Sequence, residues 1–153
     1  MKTHNEMRMW ADVDRCFRVA ADVERWPEIL PHYRWVRFQR RDGFGRGRVE
    51  MAARRNFGPL GYPVWWVSEM EIEEATPLVR YHHVDGITRG MDVEWRFHPA
   101  DDATRVEIVH AWPEGPGWPL IGKFAANAVI GPVFIHHVAG ETLAGVKREA
   151  ESR

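Results

Sequence analysis

Apolar and polar residues alternate with period two through the middle of the chain, and recur at helical spacing on either side of it. Residues His4 to Trp10 alternate and predict a first strand. Asp12 suits a helix N-cap. Val13, Cys16, Phe17, Ala20 and Ala21 then fall at i, i+3, i+4, i+7 and i+8, the stripe of an amphipathic helix. Asp22 is placed to cap a second short helix, Val23-Glu24-Arg25-Trp26, confined by Pro27 and Pro31.

Six further strands are predicted. Tyr33 to Arg41 ends at Asp42-Gly43 and the glycines at 45 and 47. Arg46 to Phe57 follows, with Val49, Met51, Ala53, Arg55 and Phe57 in one phase, and residues 58–63 read as a loop. Val64 to Glu73 sets Val64, Trp66, Ser68, Met70 and Ile72 against Trp65, Val67, Glu69, Glu71 and Glu73, so the carboxylates mark the solvent face. Leu78 to Asp85 is a strand of undetermined phase. Met91, Val93, Trp95 and Phe97 share a phase, as do Val106, Ile108, His110 and Trp112.

Pro119 to Glu151 then reads as one long helix, with Ile121, Phe124, Ala125, Ala128, Ile135, Val138, Ala139, Leu143 and Val146 among its apolar positions. So wide a stripe needs a broad apolar partner. Short connections favour antiparallel neighbours. The expected architecture is an α+β helix-grip fold in one domain, residues 1–153. A seven-stranded curved antiparallel sheet wraps around the long C-terminal helix, with two short helices after the first strand. Where sheet and helix part, a cavity is left between them.

Composition narrows the function classes. The chain of 153 residues is long enough for one real core. A net charge of -1 with interspersed signs gives no electrostatic case for nucleic acid. The single cysteine, Cys16, cannot form an internal disulfide, so a reducing cytosol is the expected compartment. No secretory signal is read at the N-terminus. The longest apolar region, Trp118 to Ile135, contains Lys123, Asn127 and Pro132 and makes a poor membrane span. Eight tryptophans suit a core or a ligand cavity, since each joins a large apolar face to one N–H donor.

Inward polar residues are the candidates for chemistry. Arg55 and His110 share phases with apolar neighbours. A buried guanidinium needs a carboxylate or a ligand oxygen, and His110 can orient a carbonyl or move a proton near neutral pH. Tyr81 and His83 are possible partners on the neighbouring strand. The expected ligand-binding set is Met51, Arg55, Trp66, Met70, Tyr81, His83, Trp95, His110, Trp112 and Phe134. His82-His83 and His136-His137 resemble metal ligands, yet adjacent residues diverge on a strand and on a helix. Neither pair can close on one ion alone, so no metal or cofactor is expected.

Ala21-Asp22-Val23-Glu24-Arg25-Trp26-Pro27-Glu28-Ile29-Leu30-Pro31 resembles a signature of the polyketide cyclase/dehydrase and coenzyme Q-binding proteins of the START-like (SRPBCC) superfamily. Val84-Asp85-Gly86, Glu94-Trp95-Arg96-Phe97 with Ala103-Thr104-Arg105-Val106, and Glu141-Thr142-Leu143-Ala144-Gly145-Val146-Lys147 agree with it. The likeness covers nearly the whole chain, departing at Gly131-Pro132, where many relatives continue the helix. It implies a deep apolar cavity between sheet and helix. The leading expectation is binding or transport of a hydrophobic small molecule: a lipid, quinone or polyketide-like aromatic. The alternative is an aromatase/cyclase-type enzyme, with Arg55 polarising a carbonyl and His110 or Tyr81 transferring protons. A third possibility, an interaction module, needs an exposed apolar patch, for which Trp65 and Val67 are the hint.

Overall fold

The computed structural model describes residues 1–43, 45–57, 60–115 and 131–152; at 55–57, 60, 62 and 131 it describes the backbone alone. The elements are β1 Lys2–Met9, α1 Val13–Ala21, a 3-10 turn Val23–Arg25, α2 Trp26–Ile29, β2 Tyr33–Arg41, β3 Arg46–Phe57, β4 Leu60–Glu73, β5 Leu78–Gly86, β6 Asp92–Ala100, β7 Ala103–Ala111 and α3 Gly131–Glu151. The strands form one antiparallel sheet of seven in the order β1-β7-β6-β5-β4-β3-β2, so chain order is broken only where β1 adds beside β7. This is the helix-grip arrangement that the alternation implied.

Several boundaries differ from the pattern. β1 starts at Lys2, because it pairs along β7 from Lys2 opposite Ala111 to Met9 opposite Thr104. Asp12 caps α1 through its Oδ1, which accepts from Arg15 N–H at 2.8 Å. Asp22 makes no side-chain cap bond. The stretch after it splits into the 3-10 turn and α2, and Pro27 sits inside the first turn of α2, where its missing N–H costs nothing. Residues 60–63, expected in a loop, are paired in β4, with Leu60 opposite Phe57 and Pro63 opposite Arg54. Of the helix expected from Pro119, residues Gly131–Glu151 are helical; residues 116–130 lie outside the described residues.

The inward faces carry the core. Met9, Leu30, Val49, Val106, Ile108, Leu143 and Val146 are each almost fully buried, at roughly 1.5–3 kcal/mol per large apolar side chain. α3 lies along β1, where Lys147 Nζ donates to the Arg8 carbonyl at 3.0 Å. Cys16 is buried within this core and burial pushes its thiol up, so it is packing material and not a nucleophile. Of the apolar residues expected on the outer face, Trp65 is 37% exposed but Val67 is buried. Among the described residues, no helix is long and apolar enough to cross a membrane.

A cavity between sheet and helix

β4, β5 and β7 bring their inward side chains under α3. Met70 pairs with Tyr81, Tyr81 with Val93, and Val93 with His110, so Tyr81 and His110 stand two strands apart on one row of one face. Ser68 pairs with His83 in the next row. The phase of β5 is thereby resolved: Tyr81 and His83 face inward, and His82 faces out, where its Nδ1 meets Asp92 at 2.7 Å. Between this floor and Phe134, Ile135, Val138, Ala139 and Thr142 of α3 lies a cavity of about 70 Å³.

Its aromatic wall is continuous. Trp95 packs on Trp26, Trp26 on Tyr33, Tyr33 on Trp66, and Trp66 on His83, with ring centroids 5.2 to 5.9 Å apart. Such pairs add roughly 0.5–1.5 kcal/mol each beyond burial, so the wall is stiff. Met51 and Met91 line the cavity too and supply adaptable surface.

The turn between β5 and β6 closes one side. Gly86 has φ +94, and a Cβ there would stand 2.3 Å from the Trp65 carbonyl oxygen, so glycine alone lets the chain turn so close to β4. The indole Nε1 of Trp112 donates to the Arg89 carbonyl at 3.0 Å and ties the turn down. Thr88 is thereby held over His83, and its Oγ1 lies 2.5 Å from His83 Nδ1.

Polar groups in the cavity differ in state. His83 is held neutral: burial, then nearby His110 and His82, lowers its pKa to about 3. Tyr81 is pushed well above the usual phenol value by burial, with Tyr33 adding to the effect, so its hydroxyl stays protonated. That hydroxyl is buried without a hydrogen-bond partner among the described residues, as is the Oγ of Ser68. An unsatisfied buried donor costs roughly 1–3 kcal/mol, and a ligand oxygen would recover it.

Seven expected site residues line the cavity together: Met51, Trp66, Tyr81, His83, Trp95, His110 and Phe134. Met70 and Trp112 are buried on the same side of the sheet but are not part of this lining. The backbone of Arg55 pairs with Tyr62 in the β3–β4 ladder, and its side chain lies outside the described residues. Alternation could not have found Thr88, which belongs to a turn, or Trp26, which belongs to a four-residue helix.

The profile of the polyketide cyclase/dehydrase and lipid transport family matches residues 9–131. The chain belongs to this family. Among the relatives of this chain, a "Putative polyketide cyclase" of Streptomyces halstedii is 31% identical over 94 residues, 61% of this chain and 84% of that one. A second "Putative polyketide cyclase", of Streptomyces cyaneus, is 28% identical over 120 residues, 77% of this chain and 76% of that one. In fold it is similar to the Zhui aromatase/cyclase from Streptomyces sp. R1128, with a TM-score of 0.83 at 19% identity over 99% of this chain and 93% of that one. The protein TTHA0849 from Thermus thermophilus gives 0.82 at 21% identity, covering 98% and 97%. A START superfamily protein from Mycobacterium smegmatis shares the fold as well, with a TM-score of 0.71 at 13% identity over 96% of this chain and 97% of that one.

Proposed function

We propose that this protein is a cyclase-type enzyme that takes a poly-β-ketone, or an aromatic polyketide derived from one, into the cavity and promotes ring closure with loss of water. The observation that carries this reading is the Tyr81 hydroxyl, a buried donor without a partner among the described residues, in a cavity that also holds His110 and neutral His83. A plain carrier of hydrocarbon has no use for a buried O–H that remains unsatisfied. The 28–31% identity to proteins named as polyketide cyclases supports the same choice.

In the proposed chemistry, His110 takes a proton from a methylene flanked by two carbonyls. The enolate oxygen that forms accepts a hydrogen bond from Tyr81, in a site where water is excluded. The enolate carbon attacks a second carbonyl of the same chain, the alkoxide regains the proton, and elimination of water leaves a double bond in the new ring. No oxidant or reductant is consumed. Arg55, in the alternation phase of Met51, is a third candidate, for polarising the attacked carbonyl.

The cavity of about 70 Å³ is smaller than the roughly 150 Å³ in which benzene is known to sit. Entry of a ring therefore displaces lining side chains, and Met51 and Met91 are the ones that rearrange most cheaply. A cytosolic location accords with Cys16, which is buried and has no second cysteine to pair with.

The test compares wild type with His110→Gln, measuring binding and product formation on a poly-β-ketone or its stable mimic. Gln keeps a hydrogen-bonding group and removes the titration. A cyclase loses roughly two to four orders of magnitude in turnover with affinity little changed. Binding without turnover by the wild type would return the reading to a carrier of hydrophobic molecules, which the largely apolar lining also accommodates.

A further inference from the structure

The outer face of β1, β7 and β6 carries a side-chain cluster that the cavity does not use. Strand pairing sets Glu6 opposite Glu107, and Glu107 opposite Arg96. His4 is one outward position before Glu6, and His98 one outward position after Arg96, so His4, Glu107 and His98 form a diagonal across three strands. The Glu107 carboxylate serves both imidazoles, Oε2 meeting His4 Nε2 and Oε1 lying 3.0 Å from His98 Nε2. Glu6 Oε2 is 3.9 Å from His4 Nε2. One nitrogen of His4 and one oxygen each of Glu6 and Glu107 lie within 4.8 Å of one another.

We propose that His4, Glu6 and Glu107 form a surface site for one divalent transition-metal ion of the zinc class, with His98 orienting the Glu107 carboxylate through its second oxygen. An imidazole nitrogen with two carboxylate oxygens suits zinc better than magnesium or calcium, which favour all-oxygen shells. Two carboxylates offset the charge of the ion. The ion takes the place of the hydrogen bond between His4 Nε2 and Glu107 Oε2. A ligating carboxylate fixed through its other oxygen is a recurring support in metal sites.

Arg105 competes for the site, because its Nη1 is 2.8 Å from Glu6 Oε2 and must let go when the ion binds. Occupancy would clamp the edge strand β1 to β7. Thr3, next to His4, is the register partner of His110 in the cavity. The clamp therefore grips the strand pair that carries a proposed proton carrier. This inference stands independently of the cyclase reading.

The test strips the full chain with a chelator and titrates it with zinc chloride at neutral pH by calorimetry, following the His4 ring by NMR in parallel. One equivalent should bind. His4→Gln and Glu107→Gln should each weaken binding at least tenfold, and His98→Gln by about tenfold. Arg105→Gln should strengthen it. His137→Gln, which breaks the exposed His137–Glu141 pair on α3, should leave it unchanged. His4 is exposed, so its variant is expected to fold, and the ring shift in wild type needs no variant. Saturable binding that survives both His4→Gln and Glu107→Gln would overturn the proposal. So would the absence of saturable binding up to millimolar zinc.

Discussion

The imidazole of His83 lies flat against the indole of Trp66, with ring centroids 5.9 Å apart and planes 4° from parallel. A neutral ring stacks there without penalty, whereas a protonated one would be a buried charge. Folding therefore holds His83 near a pKa of about 3, against roughly 6.5 in an unfolded chain. The unfolded state then binds the extra proton between these values, so stability is complete above about pH 6.5 and is lost as pH falls toward 3. The expected loss is about 1.4 kcal/mol per pH unit in that window. Urea unfolding across pH 4 to 7 checks this, and His83→Leu should remove this part of the slope.

Tyr81→Phe deletes a hydroxyl that has no partner among the described residues. Its melting temperature should match or exceed that of the wild type, since roughly 1–3 kcal/mol of unmet desolvation cost disappears. Affinity for an aryl ketone should fall in the same variant. Differential scanning calorimetry and a binding titration read the two effects, and a clear drop in melting temperature would mean that the hydroxyl is satisfied after all.

Trp26, Trp66 and Trp95 all border the cavity, whereas Trp112 donates its N–H to the Arg89 carbonyl outside it. A quinone or aromatic polyketide should therefore quench tryptophan emission saturably. Trp95→Phe should remove a larger share of the quenching than Trp112→Phe. Equal effects would place the ligand elsewhere.

Gly145 of α3 faces Leu30, and a Cβ at that position would stand 1.9 Å from Leu30 Cδ2. Alanine would gain about 1 kcal/mol in helix propensity. Leu30 is fully buried and has little room to yield, so overpacking of roughly 1–3 kcal/mol should prevail. Gly145→Ala is expected to lower the melting temperature, and Gly140→Ala, which meets nothing within 4 Å, to raise it.

Removing residues 119–153 takes away Ile135, Leu143 and Val146, which α3 buries in the core. At roughly 1.5–3 kcal/mol each, their loss is comparable to the whole stability of a domain, about 5–15 kcal/mol. The fragment 1–118 should not melt cooperatively.

Much of the fold was legible along the chain because strand alternation and helix spacing are local. Val64 to Glu73 shows its two faces in single letters, and the antiparallel meander from β2 to β7 follows from short connections. The aromatic and methionine content of the inward positions also marked the cavity wall, with Trp66, Trp95 and Met51 in place. Three matters were settled only in three dimensions. The phase of β5 depends on its neighbours, since both Tyr81 and His82 could face the core until pairing with Met70 and Val93 selects Tyr81. Thr88 reaches His83 because Gly86 turns the chain and Trp112 anchors it from 23 residues away. His4 and Glu107 are 103 residues apart and meet because β1 adds to the edge at β7, a non-local pairing that no sequence spacing encodes. Periodicity determines which face a side chain shares; the partners across that face come from the order of the strands.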